Sequence, residues 1–193
     1  MTGYDWNNGL KIEGLRLSTK KKLPNRDNKR EQKDGPVSRE LRFEKVGKAL
    51  SNIRIRNRKI EDGGCFCPII VEGLKDKSAL IKLGFSGPIE IINRGWDRGK
   101  LVTYLFEKYG VVNPIDGGPA LILLMDWDRT GGRIQNNLVM LLKSMDISID
   151  EHTRIELIRS MKPEGKTVET LAPFSEQLCK IMDYYDPFRI EQE

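Results

Sequence analysis

Ala120-Leu121-Ile122-Leu123-Leu124-Met125-Asp126-Trp127-Asp128 is the stretch that decides how this chain folds. Six consecutive apolar residues show none of the alternation of a half-exposed strand. A strand of that kind is covered on both faces, and strands covered on both faces belong to parallel sheets. The run then stops on two carboxylates. Upstream, Phe66 to Val71 and Ile89-Glu90-Ile91-Ile92 read as two more strands. Gly73 to Leu83 reads as a helix between them, with Leu80 and Leu83 inward and Gly84 as its stop. Asp97 can cap a helix that carries Leu101, Leu105, Phe106 and Tyr109 and ends at Gly110. Downstream, Ile134, Leu138, Leu141, Leu142 and Met145 mark a further helix. Strands alternating with helices predict an α/β fold: a parallel sheet of about four strands, flanked by helices and joined by right-handed crossovers.

Around this body the pattern changes. Residues 37–52 look helical, with Phe43, Val46, Leu50 and Ile53 at three- and four-residue steps. Ile53-Arg54-Ile55-Arg56 alternates, so residues 53–59 suit a helix or a strand. Residues 1–36 carry charge runs, Lys20-Lys21-Lys22 among them, with Pro24 and Gly35-Pro36 as breakers, and read as a basic flexible arm. Ile155, Ile158 and Met161 suggest another helix, and Pro173 can open a last one. The expected organisation is an arm over 1–36, a basic amphipathic helix over 37–61 packed on the body, an α/β domain over 62–172, and a C-terminal helix and tail over 173–193.

Charge is distributed unevenly. Residues 1–60 hold 17 Lys/Arg against 7 Asp/Glu, whereas the remainder hold 16 against 21. A basic leading part beside an acidic body suits a polyanionic partner whose chemistry occurs at carboxylates. No apolar run is long enough to span a membrane, and Met1 to Trp6 lacks the apolar core of a signal peptide, so a cytoplasmic protein is expected. Cys65, Cys67 and Cys179 lack zinc-site spacing and read as reduced thiols. The single histidine, His152, excludes a histidine-rich metal centre and reads as a helix-surface residue without a catalytic role.

Ligands of open parallel sheets bind at the carboxyl ends of the strands. Val71 is followed there by Glu72 and Met125 by Asp126-Trp127-Asp128, so the acids fall on one edge of the predicted sheet. At an extended strand end, residues two apart point the same way. Carboxylates without imidazole or thiolate suit a hard cation, Mg²⁺ or its alternative Mn²⁺, with substrate phosphates completing the shell. Glu72 fits either a third ligand or a general acid/base. Asp128 fits a helix cap as well as a ligand. Lys75, Arg94, Arg98, Arg129 and Arg133 fall at loops or helix starts on the same edge and can hold phosphates, or are solvated surface charge. Trp96 and Trp127 lie beside the site in sequence, as core residues or base-stacking platforms.

Ile69-Ile70-Val71-Glu72-Gly73-Leu74-Lys75-Asp76 resembles the first Toprim motif, and Leu123-Leu124-Met125-Asp126-Trp127-Asp128-Arg129-Thr130-Gly131-Gly132 resembles the second. Ile91-Ile92-Asn93-Arg94-Gly95 looks like the strand and glycine between them. The likeness covers roughly residues 40–172 and is nearest to small stand-alone Toprim proteins, archaeal primase-like or related to the 5S ribosomal RNA maturation nuclease. It implies Glu72 as general acid/base or metal ligand, Asp126 and Asp128 as the metal pair, and Asp76 as a supporting acid. It also implies Gly73 as the residue that lets the chain turn after the glutamate, with Gly95 and Gly131 as further structural glycines. Where those relatives carry a glutamate after the second motif's glycine, this chain has Gly132. Two functions are expected on this basis: a Mg²⁺-dependent RNA-processing endonuclease, or a non-catalytic RNA- or ribosome-binding module. Nucleic acid, structured or ribosomal RNA foremost, is the expected partner of either.

Overall fold

A computed structural model describes residues 38–187. The basic arm over 1–36, with Lys20, Lys21 and Lys22, lies outside the described residues, as does the tail beyond 187.

The body is α/β. A four-stranded sheet is built from β1 (Ile69–Val71), β2 (Ile89–Ile91), β3 (Leu121–Leu123) and β4 (Ile149–Asp150), in the order β2-β1-β3-β4. All three pairings are parallel, with Ile69 opposite Ile89 and Ile122, and Leu121 opposite Ile149. The connecting helices are α2 (Leu74–Lys82), α3 (Arg98–Tyr109) and α4 (Arg129–Lys143). α1 (Arg39–Asn57) precedes the sheet, and α5 (His152–Met161), a 3₁₀ segment (Val168–Phe174) and α6 (Ser175–Tyr184) follow it.

Strand side chains alternate between two cores, as a pleat requires. Ile69, Val71, Ile122 and Leu124 pack with Phe43, Val46 and Leu50 of α1 and with Leu157, Leu171 and Leu178. Ile70, Leu121, Leu123 and Met125 pack with Leu101 and Leu105 of α3 and Leu138 and Leu142 of α4. Both faces of β3 are therefore filled, which is why the run from Ala120 to Met125 contains no polar residue.

Several boundaries differ from the sequence expectation. The alternating Ile53-Arg54-Ile55-Arg56, left open between helix and strand, is helical to Asn57. Arg54, which a strand would turn to water, is instead buried and paired with Asp183 and Asp186. The end of α1 is pinned by Asn57, whose Nδ2 donates to the Cys67 and Pro88 carbonyls while its Oδ1 accepts the Gly87 N–H. Phe66 lies outside β1: it has φ 53° and is 46 % exposed. β4 contributes two residues, too few to leave a periodic signature. Pro173 lies inside the 3₁₀ segment, and α6 begins two residues later, at Ser175. Among the described residues no helix is long and apolar enough to cross a membrane.

Candidate functional site

β1 and β3 are neighbours whose following helices lie on opposite faces of the sheet: α2 leads from β1 to β2 and packs with the α1 core, while α4 leads from β3 to β4 on the other side. Adjacent strands that diverge in this way open a crevice at their carboxyl ends, the general ligand position of open α/β sheets. Glu72 follows β1 directly, and Asp126 ends the buried run that contains β3.

The acids meet there. Glu72 Oε1 accepts the backbone N–H of Asp126 at 3.1 Å, joining residues 54 positions apart. Asp126 Oδ1 accepts the N–H of Val168, at the start of the 3₁₀ segment, at 2.8 Å. Asp128 is the N-cap of α4, its Oδ1 accepting the Gly131 N–H at 2.7 Å. Each of the three thus spends one oxygen on a peptide N–H, and among the described residues no hydrogen bond takes up the other. Capping and ligation are compatible at Asp128, because the cap occupies only one oxygen. Glu72 and Asp126 are half-buried and Asp128 is exposed.

Asp76 has a different part. It is 6 % exposed, its Oδ2 accepts the Gly73 N–H at 2.9 Å, and it also accepts the Glu169 N–H. It ties the start of α2 to the 3₁₀ segment and adds its charge to the crevice from behind. Gly73 itself has φ −145°, extended backbone open to any residue, so no tight turn requires a glycine there. Its contribution is the N–H given to Asp76. At Gly131 the requirement is real: a Cβ would stand 2.2 Å from the Asp126 carbonyl oxygen. Only a glycine lets the first turn of α4 lie against that peptide. Gly95 has φ 74°, the left-handed region that favours glycine.

Gathering these carboxylates raises their affinity for protons. Burial pushes the Asp126 carboxyl up to about 6; the Val168 N–H opposes this, and Asp76, Glu72 and Asp128 reinforce it. Burial likewise raises Glu72, opposed by the Asp126 N–H and reinforced by Asp76 and Asp128. Asp76 is raised by burial too. The opposing cation is Arg154 of α5, whose Nε donates to the Met125 carbonyl at 2.8 Å and Nη2 to the Asp126 carbonyl at 2.6 Å. It is 9 % exposed, and its charge acts on Glu72, Asp126 and Asp128. Sequence reasoning missed Arg154 and Val168. The first sits in an ordinary amphipathic helix, and the second contributes a backbone donor that no side chain announces.

The donor set is one of hard oxygens. Among the described residues no three His, Cys, Asp or Glu side chains form a ready-made metal cage. Mg²⁺ needs no such cage, since it takes one or two protein carboxylates and keeps water or phosphate elsewhere. The free oxygens of Asp126 and Asp128, with Glu72 beside them, fit that requirement.

No family model matches the chain. A UPF0292 protein of Thermoplasma volcanium is 30% identical over 113 residues, covering 58% of this chain and 87% of that protein. The chain belongs to the UPF0292 family. A second UPF0292 protein, from Thermococcus gammatolerans, is 30% identical over 115 residues, 60% of this chain and 78% of that one. A solved Aquifex aeolicus protein aligns with a TM-score of 0.43 and 25% identity over 69% of this chain and 98% of its own.

In this UPF0292 chain the predicted phosphate-binding cations separate into groups. Arg129 and Arg133 are exposed on the first turns of α4, beside Asp128. Lys75 is exposed at the start of α2, 3.7 Å from Glu169. Arg98 opens α3 and is half-buried. Arg94 turns the other way, with Nε on the Ile91 carbonyl and Nη2 on Glu90. Trp127 is a core residue whose indole donates to the Gly165 carbonyl at 2.7 Å. Trp96 is half-buried against Tyr104. His152 is exposed at the first position of α5.

Proposed function

We propose that this chain is a Mg²⁺-dependent phosphoryl-transfer protein of the Toprim type, acting on nucleic acid, with structured RNA as its substrate class and endonucleolytic processing as its reaction. The observation that carries the reading is the bond from the Asp126 N–H to Glu72 Oε1, which joins two strand ends at the divergence of the sheet. Asp126 and Asp128 would hold the ion through their free oxygens, with Glu72 as third ligand or as the acid/base group. A bound Mg²⁺ supplies charge neutralisation at the reacting phosphate. Glu72, with its raised affinity for protons, is suited to hold or release one next to that phosphate. Arg154 restrains the repulsion among the carboxylates from behind the Asp126 peptide, and the exposed Arg129 and Arg133 are placed to receive flanking phosphates.

A second reading keeps the nucleic acid and drops the chemistry: a binding module for RNA or the ribosome. It is favoured by Gly132, where the Toprim nucleases have glutamate; a side chain there would face Arg154 Nη2, 3.9 Å from a Cβ. Incubation of the pure protein with structured and ribosomal RNA in Mg²⁺, beside the D126N/D128N double variant, separates the two. Cleavage by the wild type alone supports the enzyme. Salt-sensitive binding without cleavage supports the module. Equal cleavage by both proteins removes the acidic crevice from the chemistry.

A further inference from the structure

α3 carries a constellation that the acidic crevice does not use. Glu90 of β2, 8 % exposed, accepts from Tyr104 Oη and Lys108 Nζ at 2.9 Å each, from Tyr109 Oη at 2.8 Å, and from Arg94. Burial disfavours the charge on Glu90, but donation from Lys108, Arg94, Tyr109 and Tyr104 outweighs it and holds the carboxyl down at about 2. Around this anchor the rings and cations interleave. Trp96 and Tyr104 meet edge-on with centroids 5.3 Å apart. The Arg94 guanidinium stands 5.0 Å from the Trp96 ring and 5.4 Å from Tyr104. Lys100 Nζ lies 4.9 Å from Trp96, and Lys108 Nζ 5.2 Å from Tyr104.

Two features separate this ledge from an ordinary solvated helix face. Two cations, Arg94 and Lys108, share one carboxylate and Lys100 adds a third charge, so positive charge is left over, and aromatic rings hold cations in place without cancelling that charge. Lys100, Tyr104 and Lys108 also recur every fourth residue, which sets them in a row at steps of about 6 Å along one side of the helix. The chain that leads into α3 passes the crevice. Asn93, immediately before Arg94, donates its N–H to the Glu72 carbonyl at 3.2 Å. Alternating cations and half-exposed rings are what proteins use to track an unpaired strand, where phosphates meet the charges and bases meet the rings.

We propose that the ledge formed by Arg94, Trp96, Lys100, Tyr104 and Lys108 binds single-stranded nucleic acid and guides it along α3 to Glu72. The choice of partner rests on the nucleic-acid reading of the crevice; the ledge itself rests on the geometry of α3. Duplex is the poorer fit, because its bases are stacked on one another and give Trp96 and Tyr104 nothing to receive.

The test is binding in EDTA, where cleavage is silent, using a fluorescent single-stranded RNA of mixed sequence and its duplex as probes. The full chain is compared with Trp96→Ala, Lys100→Ala and Asp126→Asn. The expected result is tighter binding of the single strand than of the duplex and a loss of about tenfold in single-strand affinity for W96A. K100A should show a salt dependence shallower by about 0.7 in the log–log slope. D126N should bind as well as the wild type or better, since it removes a negative charge. Lys100 is exposed and outside both cores, so K100A remains informative if W96A fails to fold. Unchanged slope and affinity in K100A, preference for duplex, or no binding by the wild type each overturn the ledge. Cleavage lost in D126N with ledge binding intact leaves both proposals standing. Ledge binding intact with no Mg²⁺-dependent cleavage of any RNA sinks the enzyme reading alone.

Discussion

Replacing Asp126 by Asn should make the metal-free protein more stable at neutral pH, although it removes an ionisable group from the centre of the site. Burial and three neighbouring acids push the Asp126 carboxyl from 3.8 up to about 6. A shift of that size, about 2.2 units at 1.36 kcal/mol each, corresponds to roughly 3 kcal/mol of destabilisation of the ionised form. Asp126 is only half-buried, so solvent screening reduces this to about 1–2 kcal/mol. Asn keeps an oxygen to accept the Val168 N–H, so the loop contact survives. Proton counting gives the sign. Between 3.8 and about 6 the folded chain holds a proton at Asp126 that the unfolded chain has released. The wild type therefore loses stability as pH rises through that interval, and the variant does not. Urea unfolding of both proteins in EDTA, at half-unit steps from pH 4 to 7.5, measures the difference. It should be near zero at pH 4, grow to about 1–2 kcal/mol by pH 7, and correspond to a rise of about 3–6 °C in the variant's midpoint. Millimolar Mg²⁺ should stabilise the wild type alone. A flat difference across the interval, or a variant less stable than the wild type at pH 7, would refute the convergence of charge on which the site depends.

Gly131 and Gly132 are adjacent and should respond in opposite ways. G131A forces a Cβ against the Asp126 carbonyl and should cost about 1–3 kcal/mol and weaken Mg²⁺ binding. G132A meets only Arg154 Nη2, at 3.9 Å, and should gain about 1 kcal/mol in helix propensity; thermal unfolding of the pair, with calorimetric Mg²⁺ titration, reads both. Trp127→Phe leaves the Gly165 carbonyl without its indole donor and should cost about 1–2 kcal/mol, with faster hydrogen exchange over residues 165–168. Glu90→Gln leaves Lys108 and Arg94 without their anion and should cost about 2 kcal/mol at pH 7. Because the Glu90 carboxyl is held at about 2, below its unfolded 4.5, that stabilisation is present above pH 4.5 and fades as pH falls towards 2. Acid titration followed by near-ultraviolet circular dichroism should show the E90Q midpoint moved towards neutrality.

The strand ends that carry the acids were legible because burial writes itself into sequence. The run from Ala120 to Met125 can only be covered on both faces, and the carboxylates after it must emerge at the sheet edge. The same argument placed Glu72, and the bond between Glu72 and the Asp126 peptide joins two positions read independently. The alternation of Ile53 to Arg56 left helix and strand open because the two periods cannot be told apart over four residues, and a buried, paired arginine imitates a solvent-facing one. β4 was too short to show a period at all. Arg154 and Val168 escaped because each acts through main-chain groups brought together by the final third of the chain. Arg94, expected at the phosphate edge from its position after β2, also meets the nearer carboxylate of Glu90.

The grip of Val168 on Asp126 has a consequence for the order in which this protein becomes competent. The four strands end at residue 150, but one face of the sheet is closed by Leu157, Leu171 and Leu178, from the chain that follows. The peptide that orients Asp126 and the guanidinium that steadies it arrive afterwards, from residues 154 and 168. A chain cut before residue 154 would carry all four strands while Asp126 lacked both restraints.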